Sequence, residues 1–269
     1  MIADLILIKV GGGASINLLG VARDLGSLAN PVIVVQGANA VRDALAIRLG
    51  VEKRVITSVS GYSSVFSDDE AIDLLSMAYA GLANTSLVSA LQRFGRNAIG
   101  LTGLDGRVVT ARRNVGIRTR QGEKTILIRD RSGKPAGVNA ALLELLLTAG
   151  YTPVLTVPLI DELGYPVNAE NDDVVALIRE AMNIPRVVQL VEAAGLLRDP
   201  DRPDSAFAHL SSAELERLET QATGRFKRKL YALRRLFRGA SPWVVLADGR
   251  RDHPVTDALA GVGTVIADG

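Results

Sequence analysis

Leu5-Ile6-Leu7-Ile8-Lys9-Val10-Gly11-Gly12-Gly13 decides how the rest of the chain is read. Six residues, apolar except for Lys9, run into three glycines, and the segment after them (residues 16–29) has apolar residues at helical spacing. An uninterrupted apolar strand is one buried on both faces, which is the habit of parallel sheets covered by helices. Glycines between such a strand and a helix let backbone N–H groups approach a ligand closely. The helix N-terminus adds partial positive charge, so phosphate is the natural guest. Lys9 ends the strand, where its ammonium can reach the same place. A tight turn with an exposed lysine would read the same way. The spacing is not that of a Walker A loop, since no Lys-Ser/Thr follows the glycines.

Working outward, the same alternation recurs. Residues 31–36, 97–101, 152–157, 186–191 and 243–247 read as further buried strands. Residues 39–49, 68–93, 138–149, 172–182, 211–219 and 224–238 read as helices. The expected fold is α/β: a three-layer αβα sandwich around a mostly parallel sheet. Residues 107–131 differ. Arg107–Thr110, Gly116–Thr119 and Lys124–Ile128 alternate and are punctuated by glycine, which predicts a small β-hairpin excursion from the body. Arg198-Asp199-Pro200-Asp201-Arg202-Pro203-Asp204 predicts an exposed loop. No internal repeat or low-complexity tract interrupts the pattern.

Composition narrows the chemistry. The 269 residues, 48% hydrophobic and 22% charged, can bury a large core in one domain or two joined lobes. Net charge of +2 does not suggest bulk binding to nucleic acid. Cysteine is absent, so disulfides, thiolate metal sites and cysteine nucleophiles are excluded, and His209 and His253 are too few for a histidine-rich metal site. No apolar run reaches the roughly 18 residues that span a bilayer, and Met1-Ile2-Ala3-Asp4 lacks a basic n-region. A cytoplasmic protein with no membrane partner is expected. Of 31 cations, six are lysine and 25 arginine. Arginine suits bidentate recognition of carboxylate and phosphate, although codon usage accounts equally for such a bias.

Three further stretches carry chemistry. Gln36-Gly37-Ala38-Asn39 is a second strand-to-helix turn, which would share a crevice with the first; Asn39 could equally be a helix N-cap. Val167-Asn168-Ala169-Glu170-Asn171-Asp172-Asp173 precedes a helix expected from Val174, and Asp172 or Asp173 would be an ordinary dipole partner there. Thr223-Gly224-Arg225-Phe226-Lys227-Arg228-Lys229 opens a helix that continues through Arg234, Arg235 and Arg238. Cations at a helix start oppose the dipole, which points to an anionic partner: nucleotide phosphates, an acidic protein, or both.

The order of these motifs, with Gly100-Leu101-Thr102-Gly103-Leu104-Asp105-Gly106 between them, resembles the amino-acid kinase family over residues 5–266. Within it, the chain looks most like the kinases that act on aminoadipate or glutamate held by a carrier protein; N-acetylglutamate kinase is the near cousin. The resemblance implies two lobes, residues 1–171 for substrate and 172–269 for nucleotide. It implies ATP and Mg2+, with no protein metal site. Lys9, Asp172 and Lys229 would be catalytic, the two lysines neutralising the transferring phosphoryl group and Asp172 holding them. Gly11, Gly12 and Gly37 would donate backbone N–H groups to phosphate. Leu190, Glu192, Gly195, Gly224, Phe226 and Lys227 would line the nucleotide site. Ala38, Asn39, Tyr62, Ser64, Val65 and Asn168 would line the substrate site beside Gly37. A small acidic carrier joined to the substrate's amino group would meet a basic face including Arg112, Arg113, Arg118, Arg120, Arg225 and Arg228, with Lys124, Arg129, Arg131 and Lys134 near it. The acyl-phosphate product implies a downstream reductase, and the family a homodimer. The related alternatives are a free N-acetylglutamate acceptor and a catalytically weak nucleotide-binding regulator.

The chain departs from the family pattern in three places. Gln36-Gly37-Ala38 stands for His-Gly-Gly. Leu190-Val191-Glu192-Ala193 stands for Leu-Thr-Asp-Val. Val65 stands where the family typically has an arginine for the substrate's α-carboxylate. Tyr62, Ser63, Ser64 or a nearby arginine would replace that contact, or the substrate differs.

Overall fold

In the first strand, β1 (Ile6–Val10), alternate side chains enter opposite cores. Ile6, Ile8 and Val10 pack on one face of the sheet, while Leu7, with Leu5 ahead of it, packs on the other. Lys9 follows Leu5 and Leu7 in this alternation, so its side chain leaves on their face. The computed structural model describes residues 2–52, 54–59, 63–199, 201–222 and 224–268.

After β1 come α1 (Leu18–Ser27), β2 (Val32–Gln36), α2 (Asn39–Leu49), a hairpin of β3 (Val55–Thr57) and β4 (Ser63–Val65), and α3 (Asp69–Ser76). A π-helical stretch, Met77–Asn84, joins α3 to α4 (Thr85–Arg93). Next are β5 (Ala98–Thr102), β6 (Val109–Arg113), β7 (Ile117–Gln121), β8 (Lys124–Ile128), β9 (Gly133–Val138), α5 (Ala140–Thr148), β10 (Thr152–Thr156), β11 (Leu159–Ile160) and β12 (Pro166–Val167). The remaining elements are α6 (Asn171–Ala181), β13 (Arg186–Val191), β14 (His209–Leu210), α7 (Ser212–Gln221), α8 (Gly224–Arg235), β15 (Trp243–Asp248), α9 (Pro254–Leu259) and β16 (Thr264–Ile266).

The central sheet has the order β14-β16-β15-β13-β1-β2-β10-β5. Its neighbours pair in parallel except β15 and β16. One face is covered by α2, α3, α5, α6, α7 and α8, the other by α1, α4 and α9. That is the expected αβα sandwich. The excursion is also present, as a β12-β11-β6-β9 sheet with the separate β7–β8 hairpin. Its first strand begins at Val109 rather than Arg107, because Gly106 (φ 56°) and Arg107 (φ 51°) turn the backbone out of extended conformation.

The run Asp69–Arg93 is one helical rod, long and apolar enough by composition to cross a bilayer, contrary to the sequence expectation. It is built as a core element. Ile72, Leu74, Leu75, Ala78, Tyr79, Ala83, Leu87, Ala90 and Leu91 along it are buried.

Candidate active site

The two glycine turns lie against each other at the C-terminal ends of β1 and β2. Gly11 N–H donates to Leu190 O (3.0 Å), Gly37 N–H to Val10 O (2.9 Å) and Ala40 N–H to Gly12 O (2.8 Å). A Cβ on Gly12 would stand 2.7 Å from the amide nitrogens of Ala38 and Asn39. Only glycine permits that approach. Gly11 and Gly37 therefore do not act as expected: their N–H groups are engaged within the sheet, and what they contribute is space.

Two helices begin here, α2 at Asn39 and α6 at Asn171, and neither has a side-chain cap. Asn39 is thus the first helical residue, not the N-cap, which is Ala38. Its Oδ1 accepts from Tyr79 Oη at 2.6 Å, and burial raises the Tyr79 pKa. Asn171 Nδ2 would lie 3.5 Å from a Cβ at Gly37, so the two helix starts are neighbours. Asn171 Oδ1, and Gln36 Oε1 at the end of β2, are buried with no partner among the described residues. Uncapped N-termini with open amide donors fit an anion such as a nucleotide phosphate.

Lys9 meets Asp172 in this corner. Helix α6 begins earlier than Val174, so Asp172 and Asp173 sit in its first turn. Successive helical residues point in different directions. Asp172 pairs with Lys9, whereas Asp173 pairs with Arg235 on α8. Lys229, also on α8, completes the group. Burial lowers its pKa first and the Lys9 charge lowers it further, while Asp172 acts in the opposite direction. Asp172 is thus bonded to Lys9 and its charge also acts on Lys229, offsetting the repulsion between the two lysines.

The lowered Lys229 pKa has a pH signature. Its ammonium is present below the folded-state value and is lost as pH rises through it. The kcat/KM profile, which reports the free enzyme, should therefore fall on an alkaline limb that begins below the ordinary lysine range, and the limb should be absent in an active Lys229→Arg variant. Stability runs the other way: between the lowered value and 10.5 the unfolded chain binds more protons, so stability rises with pH. At neutral pH the charge is a net cost, and Lys229→Met should melt above the wild type.

On the nucleotide side, Glu192 follows β13 and accepts from Ser15 N (2.9 Å) and Ser15 Oγ (2.5 Å). These bonds hold its carboxyl below the usual range. A Cβ on Gly13 would fall 1.8 Å from Glu192 Oε2, so Gly13 is required where Glu192 clasps the loop. Leu190 does not line a nucleotide site: its side chain is core and its carbonyl is taken by Gly11. Gly195 packs against Thr264, where a Cβ would meet Oγ1 at 2.4 Å. Phe226 is partly buried and packs against the core. Gly224 (φ 58°) starts α8 in open space, and Lys227 follows it half-buried.

On the substrate side, a cleft of about 50 Å³ is lined by Val65 and Asn168, with Arg42, Arg54, Phe66 and Ser67 among its other walls. Asn168 Nδ2 donates to Ser67 Oγ at 3.1 Å. Tyr62 lies outside the described residues, and Ser64 is described only as part of β4. Sequence reasoning passed over Asn171, Arg42, Arg54 and Ser67. Asn171 lay inside a quoted motif, but the others carry no local signal.

The basic face is partly self-engaged. Arg112, Arg118 and Arg120 are exposed, and Arg112 stands directly opposite Lys134 in the β6–β9 ladder. Arg113 instead donates to Asp130 O (3.1 Å), and Arg228 is paired with Glu170 (2.6 Å), so neither is a simple surface cation. The side chain of Arg225 is outside the description. The β7–β8 hairpin is sewn to the end of β3. Val59 N–H donates to Arg118 O, and Thr119 Oγ to Thr57 O, both at 2.8 Å.

Two lysines around one aspartate, one of them ion-paired to it, beside glycine turns and open helix starts on a parallel sheet, are equipment for phosphoryl transfer. The model of the amino acid kinase family matches residues 4–247, and the chain belongs to that family. A LysW-aminoadipate kinase of Thermus thermophilus is 37% identical over 97% of this chain and all of its own length. A LysW-aminoadipate kinase of Deinococcus radiodurans is 34% identical over 99% of this chain and 92% of its own. Among solved structures, an N-acetylglutamate synthase of Neisseria gonorrhoeae complexed with coenzyme A and N-acetylglutamate has the same fold (TM-score 0.78, 20% identity), covering all of this chain and 60% of that one.

Proposed function

We propose that this chain is an ATP-dependent kinase that phosphorylates the side-chain carboxylate of an acidic amino acid, glutamate or aminoadipate, whose amino group is joined to a small acidic carrier protein. The observation that carries the reading is the Lys9–Asp172–Lys229 group. The names of the two full-length relatives support the carrier-borne acceptor.

The acceptor carboxylate is already ionised near neutral pH, so no strong base is needed. One of its oxygens forms the new bond to the γ-phosphorus of ATP as the bond to the ADP oxygen breaks. Charge on the moving phosphoryl group is met by Lys9 from the acceptor side and Lys229 from the nucleotide side, and Asp172 fixes their spacing. The amides of Gly12 and the first turns of α2 and α6 orient the phosphates. No group of three or more candidate metal ligands gathers among the described residues. Mg2+ would therefore be held chiefly by the nucleotide, as is usual for this ion, supplying countercharge to the β- and γ-phosphates. The product, an acyl phosphate, calls for a reductase that consumes it.

Residues 1–171 supply β1, β2, β10 and β5 of the central sheet, and residues 172–269 supply β13, β15, β16 and β14. This partition supports a substrate lobe and a nucleotide lobe meeting at β1 and β13. We further assign the chain to the cytoplasm, as a homodimer.

Trapping product as hydroxamate tests the function. With ATP and Mg2+, carrier-borne glutamate or aminoadipate should give hydroxamate and free N-acetylglutamate little. Turnover on the free acetyl compound alone would replace the carrier reading with that of an N-acetylglutamate kinase. Reversing charge at Arg118 and Arg120 together should raise the KM for the carrier-borne acceptor about ten-fold at low salt, with the difference shrinking as salt is added. A salt-independent KM would remove the hairpin from the docking face.

A further inference from the structure

We propose that Arg54 is the cation that receives the acceptor's α-carboxylate, in the cleft between α2 and the β3–β4 hairpin; this rests on the carboxylate-kinase reading above. An acidic amino acid joined through its amino group keeps two carboxylates. One is phosphorylated, and the other must leave water, which is costly unless a cation meets it. Among the described residues that line the cleft, Arg42 and Arg54 are the cations. The backbone N–H of Arg42 donates to Ala38 O (2.9 Å) at the second glycine turn, so the cleft adjoins that corner.

The two arginines differ in what they have left to offer. Arg42 directs Nε (2.9 Å) and Nη2 (2.7 Å) to Asp43 Oδ1, and its side chain is 13% exposed. It is committed. Arg54 is 63% exposed, and its ion pair is a 3.4 Å contact with Asp68 Oδ2. Asp68 meanwhile caps α3 through Oδ1, which accepts from Ala71 N at 3.0 Å. The Arg54 guanidinium lies over the Phe66 ring at 4.6 Å. Stacking occupies the face of the guanidinium and leaves its planar N–H fork, apart from the long Nη1 contact to Asp68, to bind a carboxylate through two parallel bonds.

Phe66 N–H donates to Arg54 O at 2.8 Å, extending the ladder in which Val55 pairs with Val65. Arg54 therefore stands opposite Phe66 and one rung from Val65, and strand alternation sends its side chain out on the Phe66 face of the hairpin. Local charge also favours it. Asp43, Glu52, Asp68 and Glu70 also line the cleft and outnumber the two arginines. Without Arg54 the cleft repels an anion, so its removal has a large effect.

The test compares two acceptors on the same carrier: glutamate with its α-carboxylate, and the same residue with an α-carboxamide. Wild type should prefer the carboxylate in kcat/KM by about ten-fold or more, mainly through KM, as expected for a charged hydrogen bond. Arg54→Ala should erase the preference by raising KM for the carboxylate acceptor. Arg54→Lys should restore it only in part, and Val65→Arg added to Arg54→Ala should restore most of it. Thermal unfolding midpoints confirm that each variant is folded. A preference retained in full by Arg54→Ala, or no preference in the wild type, overturns the assignment while the kinase reading stands. Absence of turnover on every carboxylate acceptor overturns both.

Discussion

Lys9→Met is expected to lower kcat by about 10²–10³-fold, the usual effect of removing one preorganised charge from a transition state, while the melting temperature stays near that of the wild type. The methionine keeps the apolar stem and loses only the ammonium. The strand that carries it is paired on both sides, to β2 and β13, with Ile8 and Val10 buried beside it. The scaffold does not depend on the charge. A second readout separates a catalytic from a merely structural lysine. The Lys9 charge is one of the causes that lower the Lys229 pKa. In Lys9→Met that repulsion is gone, so the alkaline limb of kcat/KM should move to higher pH. Undiminished turnover, or a limb that stays in place, would reject the role given to Lys9.

Asp172→Asn is expected to cost about 10²-fold or more in kcat, since removing one partner of a part-buried charge cluster leaves the others uncompensated. Here the limb should move the opposite way. Asp172 is the group that raises the Lys229 pKa against burial and Lys9. Without its charge, Lys229 loses its proton at still lower pH. Opposite displacements from two substitutions in one cluster would be difficult to obtain by general loosening of the fold. Asp173→Asn serves as the contrast. It breaks the pair with Arg235 but leaves the lysines their aspartate, so its effect should fall on stability rather than on the position of the limb.

The parallel strands were legible because burial on both faces leaves little besides aliphatic side chains. β1, β2, β10, β13 and β15 lie within a residue or two of where their apolar runs predict them. Elements that depend on neighbours were not legible. β9 reads Gly133-Lys134-Pro135-Ala136-Gly137-Val138, a loop by composition, and forms a strand because it is the edge of its sheet, where proline is tolerated. β16 is three residues long and α9 six, too short for a period to show. The π-helical stretch Met77–Asn84 has the same apolar spacing as the helix around it.

The candidate site divides in the same way. Lys9, Asp172 and Lys229 lay in motifs that mark themselves, and the structure gathers them. The donor roles expected of Gly11 and Gly37 fail because sheet pairing takes their amides first. Leu190 fails because it is still inside the buried part of β13, one residue before the strand ends at half-buried Val191. Arg54 was foreseen only as an unspecified nearby arginine. Its place over Phe66 follows from the pairing of the β3–β4 hairpin, and one strand of three residues gives no hint of that register.

Lys9 and Asp172 are separated by 163 positions in the chain, and Lys229 comes later still. On the ribosome, a nascent chain that has released β1, both glycine turns and the whole acceptor cleft carries Lys9 without its counterion or its partner lysine. It has neither the charge balance nor the second strand neighbour needed to handle ATP. With the roles proposed above, phosphoryl-transfer competence arrives only with the last quarter of the polypeptide, and a product terminated before Lys229 should not hydrolyse ATP.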